Sequence, residues 1–343
     1  MSKNLKKTFI HSFVSSANRL RLIDMYSFIK SNVESYVAVI VYHRIKPIKD
    51  RWSISTLDSK EFEKQILYIK KTHKILDLEE MANIIKKKKK LPKRSAVITF
   101  DDGYLDNYKY AFPVLEKHKI PATIFLTTGF IGGNDCFWWD KLGYVIFNTK
   151  MEKINLRNFG EIYPKSIRKS EHSFDIFIER FKQIPKQKRL RIIEELVTIS
   201  DIEIPKQLGK ELILSWDQVK EMDDHGIKFG AHTVNHPILT EIPLKQAEKE
   251  IIESKKDIEK KIKKPINTFC YPNGQPGDYN DDIKNILREN GFICSLTLLF
   301  KTVTKKSDLF ELGRIFTVDN FSFFKLNISG FLTDMTKWKY KKN

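Results

Sequence analysis

Residues 97–108, VITFDDGYLDNY, join an apolar run to two adjacent carboxylates. The run VITF predicts a buried strand, and Asp101 and Asp102 follow it directly. Neighbouring like charges raise each other's pKa, and burying an unpaired carboxylate costs free energy. A fold that places both groups where a strand leaves the core must therefore neutralise them or use them.

Short apolar strands alternate with amphipathic helices from residue 36 onward, which predicts an α/β fold with a parallel sheet. Predicted strands lie at 36–43, 95–100, 122–128, 227–233, 266–272, 292–298 and 313–318, and predicted helices at 58–72, 107–119, 214–226 and 244–262. In an α/β barrel the C-terminal ends of the strands meet at one face. Polar residues that follow different strands are then expected to converge there.

The composition is strongly basic, with 61 Lys and Arg against 43 Asp and Glu among 343 residues, a net charge of +18. One interpretation is a polyanionic partner such as nucleic acid or an anionic membrane. The other is a lysine-rich, solvated surface, which we favour over a nucleic-acid partner.

Three cysteines form no CxxC pair, and no convincing secretory signal begins the chain. These features favour a reducing, cytoplasmic location with buried thiols. No stretch approaches the roughly 20 apolar residues that a transmembrane helix requires.

The chain is expected to have three parts. Residues 1–35 form a basic amphipathic segment, which either lies on an anionic membrane, at the inner face of the cytoplasmic membrane, or packs on its own domain. Residues 36–330 form the main domain, and residues 331–343 a basic tail. The alternation is interrupted by an insertion at about 132–212, whose apolar content we expect to be thin for a separate core.

A second informative stretch is GAHTVNHPIL at 230–239, where His232 and His236 lie four residues apart after a predicted strand. With a carboxylate from another strand end, the pair predicts a site of two imidazoles and one carboxylate. Such a site leaves an open position, as a catalytic Zn²⁺ or similar cation needs. His43 follows the first predicted strand and occupies the same kind of position.

These motifs together resemble the polysaccharide deacetylase family, also called the NodB-homology domain or carbohydrate esterase family 4. The resemblance covers about residues 36–320 and rests on several motifs in order. They are YHR at 42–44, TFDDGY at 99–104, FWWDKL at 137–142, SWDQVKEM at 215–222, HTVNHP at 232–237, FCYPNGQ at 269–275 and LGRI at 312–315.

The resemblance implies a distorted (β/α) barrel with fewer than eight strands and metal-dependent removal of N-acetyl groups from amino sugars. It implies that Asp102, His232 and His236 bind the metal, most simply Zn²⁺, with Co²⁺, Mn²⁺ or Ni²⁺ as alternatives. Asp101 would be the general base, and the backbone N–H of Tyr271 would stabilise the oxyanion.

The chain departs from the family pattern at two places. Many members supply a late histidine as general acid, but no histidine follows His236 here, so we expect His43 to take this role. Many members also carry an arginine ahead of the Pro-aromatic pair, and here Arg314 is expected to hold Asp101 charged instead. Candidate substrate-binding residues are Tyr104, Trp138 and Trp139; for the two tryptophans, packing is an equal alternative.

The function predicted from these motifs is deacetylation of an N-acetylated saccharide in a surface polysaccharide or its lipid-linked precursor, as in O-antigen or capsule assembly. One alternative is removal of another acyl or formyl group from a sugar lipid. The other is a non-catalytic basic module that binds a membrane or nucleic acid. Asp101, Asp102, His232 and His236 cost free energy to bury together. A non-catalytic module has no reason to keep all four, so we disfavour that alternative.

Overall fold

The structure, a computed structural model, describes residues 12–47 and 56–340. Its strands are β1 (Val37–Tyr42), β2 (Arg44–Lys46), β3 (Thr56–Asp58), β4 (Lys74–Ile75), β5 (Ser95–Phe100), β6 (Thr123–Leu126), β7 (Ile154–Leu156), β8 (Gly160–Ile162), β9 (Lys228–Ala231), β10 (Thr268–Cys270), β11 (Cys294–Phe300) and β12 (Leu312–Phe316).

The helices begin with α1, which covers residues 12–19. They continue with α2 (Leu22–Val33), α3 (Ser59–Thr72), α4 (Leu78–Lys86), α5 (Phe112–His118), α6 (Trp138–Asn148), α7 (Pro164–Ile167), α8 (Glu171–Lys182), α9 (Lys186–Ser200), α10 (Leu208–Leu212), α11 (Trp216–Asp224), α12 (Leu244–Ile262), α13 (Asp281–Glu289), α14 (Phe321–Ile328) and α15 (Phe331–Tyr340).

Seven parallel strands close into a barrel in the order β1-β12-β11-β10-β9-β6-β5, and β5 pairs back onto β1. The closing pair is in continuous register, from Val37 opposite Ser95 to Tyr42 opposite Phe100. The short strand β4 pairs beside the start of β5, outside the ring. The predicted distorted (β/α) barrel with fewer than eight strands is confirmed.

The central strands are apolar along their whole length because both of their faces are covered. Every residue of β1 (VAVIVY) and β5 (SAVITF) is buried. Parallel strands between a filled barrel interior and an outer layer of helices read as continuous hydrophobic runs rather than alternating ones. This burial leaves the strand ends as the places where polar side chains can meet.

One predicted helix is divided in the structure. Residues 107–119 begin with a π-helical turn, Asn107–Ala111, and continue as α5. Pro113 explains the break, because it has no N–H to donate into a regular α-helical ladder.

The insertion, residues 132–212, has a hydrophobic core of its own, contrary to our expectation. Its buried members come from the three helices α6, α8 and α9 and the hairpin β7–β8: Leu142, Val145, Ile146, Ile154, Leu156, Ile162, Phe174, Phe177, Ile178, Phe181, Ile192, Ile193 and Leu196. They are spaced among many charged residues, so composition concealed them. Trp139 and Ile204 pack against both this cluster and the barrel core, which joins the two.

The two ends of the described chain pack together. Lys30 of α2 forms an ion pair with Asp334 of α15 at 2.7 Å, and the Tyr26 ring contacts Phe331 edge-on. Residues 331–340 therefore form a helix where we expected a tail, while residues 1–11 and 341–343 of the predicted terminal segments lie outside the described residues. Among the helices described, none combines the length and the apolar character needed to span a bilayer.

Candidate active site

Polar side chains from several strand ends line one cavity of about 610 Å³ at the mouth of the barrel. His43 follows β1, Asp101 and Asp102 follow β5, and His232 and His236 follow β9. The structure thus brings together five residues that are up to 193 positions apart in the sequence (236 − 43). Convergence at the C-terminal strand ends is the property of parallel barrels that predicted it.

Asp101 is paired with a buried arginine. Nη1 and Nη2 of Arg314, on β12, donate to the two carboxylate oxygens of Asp101, each at 2.7 Å. Arg314 has no exposed surface and Asp101 only 2%. Nε of Arg314 donates to the Thr297 carbonyl at 2.9 Å, which fixes the plane of the guanidinium. Burial disfavours the charged form of Asp101, but the guanidinium more than compensates and holds the pKa of that carboxyl well below its usual range.

Asp102 lies beside the two histidines. Its Oδ1 is 3.6 Å from Nε2 of His232 and 3.5 Å from Nε2 of His236. One ligand atom from each residue lies within 4.8 Å of the others. These separations place two imidazole nitrogens and one carboxylate oxygen around a common point, as a tetrahedral cation with an open position requires.

The surroundings of the histidines suit a cation. Nδ1 of His232 is 2.7 Å from the Cys270 carbonyl, so a proton on Nδ1 leaves Nε2 with its lone pair toward Asp102. Burial and the neighbouring His232 lower the pKa of His236 to about 3, so its imidazole is neutral and can act as a ligand. Although burial opposes the shift, Cys270 and Asp102 raise the pKa of His232, so a cation at its Nε2 would take the place of a proton. The residues present therefore fit a divalent metal ion.

A second group, Asp101, His232 and Cys270, also has ligand atoms within 4.8 Å of one another. It is the poorer candidate for a metal, because Arg314 occupies both oxygens of Asp101. Burial also raises the pKa of the Cys270 thiol, and only a thiolate is a good ligand. The Cys270 sulfur instead lies 3.1 Å from Nη2 of Arg314 and completes the packing around the ion pair.

The backbone at two of the candidate metal ligands and at the neighbouring Thr233 is held in an unusual conformation. Asp102, Thr233 and His236 have φ values of 74°, 66° and 55°, in the left-handed region that non-glycine residues seldom adopt. Such strain persists only where surrounding contacts enforce it, and it concentrates at functional sites.

Glu250 of α12 supplies such contacts. Its Oε2 accepts hydrogen bonds from the backbone N–H groups of Val234 and Asn235 at 2.9 and 2.8 Å. Its Oε1 accepts a third from the Asn235 side chain at 2.8 Å. The turn between the two histidines is thus fixed by one buried carboxylate, a role that the sequence analysis missed because nothing in the local pattern of α12 marks it.

His43 lies beside the Asp101–Arg314 pair. Its Nε2 is 3.7 Å from Oδ2 of Asp101, and a quarter of its side chain is exposed to the cavity. Burial lowers the pKa of His43, although Asp101 and Asp102 oppose the shift. The imidazole is therefore neutral in the resting site.

Tyr271 does not offer the backbone donor that the family resemblance implied. Its N–H donates to the Leu296 carbonyl at 3.1 Å, because the β10–β11 ladder continues one residue beyond Cys270. Its hydroxyl donates to the Phe310 carbonyl at 3.0 Å and accepts from Ser295. Tyr271 forms part of the cavity wall, and both its N–H and its hydroxyl are hydrogen-bonded within the protein.

Tyr104, a predicted substrate contact, borders the cavity, but its hydroxyl is already hydrogen-bonded within the protein. It is buried, its hydroxyl accepts a hydrogen bond from Nε1 of Trp139 at 2.7 Å and donates to Asp140 at 3.1 Å. Arg44 covers its ring at 4.4 Å. Tyr104 therefore orients Trp139, whose ring in turn stands edge-on to His236 at 5.0 Å.

The tryptophans both pack and line the cavity. Trp139 stacks on Phe137 at 4.5 Å, and Trp138 carries the Arg189 guanidinium over its ring at 4.4 Å. Both remain partly exposed to the cavity.

One side wall of the cavity comes from the insertion. The end of α8 and the start of α9, on either side of the turn at 183–185, contribute three cations, Lys182, Lys186 and Arg189, with Glu241 of the barrel nearby. Lys182 is paired with Glu179 at 2.6 Å, while Nε of Arg189 is buried without a hydrogen-bond partner. The basic run around Pro185 was visible in the sequence, but its position at the cavity was not.

The chain matches known proteins of one family. The model of the polysaccharide deacetylase family matches residues 88–294. A poly-beta-1,6-N-acetyl-D-glucosamine N-deacetylase of Staphylococcus aureus is 26% identical over 267 residues, covering 77% of this chain and 69% of the relative.

Two solved structures share the fold. Streptococcus pyogenes deacetylase PplD in complex with acetate superposes with a TM-score of 0.57 at 20% identity, covering 84% of this chain and 94% of that one. IcaB from Ammonifex degensii superposes with a TM-score of 0.55 at 18% identity, covering 86% of this chain and 97% of that one.

Proposed function

The chain belongs to the polysaccharide deacetylase family, hydrolases of amide bonds, and from this premise we propose that it removes N-acetyl groups from amino sugars with the help of one divalent cation. The observation that carries the proposal is the meeting of Asp102, His232 and His236 at 3.5 and 3.6 Å, beside the Asp101–Arg314 pair. Two imidazoles and a carboxylate with an open position suit Zn²⁺; Co²⁺, Mn²⁺ and Ni²⁺ are the alternatives that metal analysis distinguishes.

A divalent cation held by Asp102, His232 and His236 would polarise the amide carbonyl and lower the pKa of a bound water. Asp101, held ionised by Arg314, accepts a proton from the attacking water as the new C–O bond forms. Asp101 then passes this proton to His43, whose Nε2 lies 3.7 Å from its Oδ2. His43 then protonates the departing nitrogen as the C–N bond breaks, releasing acetate and a free amine.

The experiment that tests this proposal measures acetate release from an N-acetylated oligosaccharide. We expect the wild type to release acetate and Asp101→Asn to lose at least about 10²-fold in kcat, the usual scale for a general base. Asp217→Asn, an exposed carboxylate on α11, is the matched control and should keep full activity. Equal rates for Asp101→Asn and wild type contradict the proposal, as does release of formate or a longer acid in place of acetate.

We further propose that the substrate is a lipid-linked precursor of a surface polysaccharide. The cationic wall supports this, since the phosphates that join a saccharide to its lipid carrier are anionic and Lys182, Lys186 and Arg189 line the cavity. Membrane vesicles that carry the lipid-linked saccharide should be deacetylated faster than the finished polymer. Activity confined to the finished polymer contradicts this proposal and leaves the deacetylase assignment intact.

A further inference from the structure

Helix α2 presents its apolar side to solvent and its polar side to the protein. The residues it buries are Ile23, Ser27, Lys30 and Ser31. The exposed side chains are Leu22, Met25, Phe28, Ile29 and Val33, of which four follow the i, i+3, i+7, i+11 spacing of one helical stripe. A helix that only covered its own domain would have the opposite orientation.

Exposed apolar side chains also lie on the two helices next to α2, the preceding α1 and the α15 helix that contacts it. Phe13 and Leu20 of the α1 region, seven residues apart and so on one face, are exposed, as are Phe331 and Met335 of α15. With the α2 stripe they form what we call the outer apolar face. It holds nine of the seventeen exposed large apolar side chains among the described residues. Concentrations of this kind mark interaction surfaces rather than ordinary solvent exposure.

Charge complements the apolar character of this face. Arg19, at the end of α1, and Arg21, directly before α2, are exposed, whereas Asp24 points inward, accepting hydrogen bonds from Tyr68 and Lys325. Within residues 12–47, the one exposed acid is Glu34, directly after α2. Asp334 of α15 is about one third exposed and is paired with Lys30. Further along the sequence toward the N-terminus stand Lys3, Lys6 and Lys7.

We propose that the outer apolar face docks on the surface of an anionic lipid bilayer. Apolar side chains enter the boundary between headgroups and acyl chains, and the flanking cations contact acidic headgroups. Both hypotheses from the sequence then hold for different sides of one helix: α2 packs on its domain through Lys30 and Ile23 and leaves its apolar side for the membrane. This proposal does not depend on the reaction that the site performs.

The test is co-sedimentation of the full chain with lipid vesicles. We expect the wild type to pellet with vesicles of phosphatidylcholine mixed with phosphatidylglycerol and to pellet much less with phosphatidylcholine alone. Substituting Met25→Asp together with Ile29→Asp should lower the partition onto anionic vesicles by about tenfold or more, because two apolar contacts are replaced by charge. Raising the salt to about 1 M should weaken binding as the Debye length falls to about 3 Å.

The matched control is Ile176→Asp with Leu190→Asp. These side chains lie on the insertion and are 51% and 40% exposed, against 54% for both Met25 and Ile29. The control should bind vesicles like the wild type, and thermal melting should show both double variants folded. Absence of wild-type binding to anionic vesicles, or equal loss in both double variants, overturns the proposal. So does a wild-type dimer that Met25→Asp with Ile29→Asp dissociates without any vesicle binding, since a second copy then covers the face.

Discussion

The floor and the side wall of the cavity are built in opposite ways. The floor, formed by the strand ends of the barrel, has charged groups that are buried and fully partnered: Arg314 meets Asp101 through two 2.7 Å hydrogen bonds. The side wall, formed by the α8–α9 turn of the insertion, carries an exposed Lys186 and an Arg189 whose Nε lacks a partner. The difference separates the groups that would perform the chemistry from those that would select the substrate.

Preorganised charges stabilise developing charge without reorganising during the reaction, and this favours a rigid floor. The wall has no such requirement. Long exposed side chains retain rotamer freedom and become ordered only when a ligand binds, so they adapt to different substrates. Substitutions in the floor are therefore expected to lower kcat, and substitutions in the wall to raise KM.

The largest effect after that of Asp101 is expected for His43→Ala. The floor then lacks the proposed proton donor, so kcat should fall by about 10²–10⁴, the usual contribution of a general acid. Metal content should stay unchanged, because His43 is outside the ligand set. His225→Ala, a half-exposed imidazole on the far end of α11, is the control. A loss of kcat within about tenfold contradicts the role of His43.

A smaller effect is expected when Glu250, which holds the turn between the two histidines, is substituted. Glu250→Gln replaces an acceptor of three hydrogen bonds by a group that can match them only in part, which loosens the turn between His232 and His236. Metal affinity, measured by competition with a chelator, should weaken by about 10–100-fold. Glu253→Gln, exposed on the same helix, should bind metal like the wild type. Equal metal affinity of the two variants would contradict a role of Glu250 in positioning His232 and His236.

The wall is tested by reversing its charge. Lys186→Glu with Arg189→Glu should raise KM for a lipid-linked, phosphate-bearing saccharide by about tenfold, since each exposed ion pair contributes modestly. KM for neutral chitotetraose and kcat for both substrates should change little. Lys188→Glu with Arg191→Glu makes the same charge change on exposed positions of α9 that do not line the cavity. A KM increase of the same size for both substrates contradicts an anion-selective wall.

The smallest expected effect is on thermal stability, and it concerns Asp140 of α6, a buried carboxyl behind the cavity. Burial raises the pKa of Asp140 from its ordinary value of 3.8 to about 7, against the opposing charge of Arg44. A folded state that binds this proton more tightly than the unfolded state loses stability as pH rises between those values. The melting temperature of Asp140→Asn should therefore fall less than that of the wild type between pH 5 and pH 8. Parallel curves for the two proteins would contradict the raised pKa.

The sequence predicted the floor well because strand ends are local features. Apolar runs such as SAVITF fixed the strands, and the parallel barrel then placed Asp101, Asp102, His232 and His236 on one face. The pairing of Arg314 with Asp101 was also predicted, although 213 positions separate them. Helix α12 was predicted with its observed bounds, 244–262.

The remaining features depend on tertiary contacts that no local pattern reveals. The N–H of Tyr271 donates to the Leu296 carbonyl in the strand ladder. The hydroxyl of Tyr104 is hydrogen-bonded to Asp140 and Trp139. The contact of Glu250 with the histidine turn spans 15 or 16 residues and a change of element. The insertion's core was missed because its apolar side chains are dispersed among charges.

Metal reconstitution tests the central claim most directly. Protein stripped by a chelator should regain acetate release in proportion to added Zn²⁺ and saturate at one equivalent per chain, while His236→Ala should neither bind that equivalent tightly nor recover. Full activity in stripped protein, or reconstitution of His236→Ala at the same stoichiometry and affinity, would contradict a cation held by Asp102, His232 and His236.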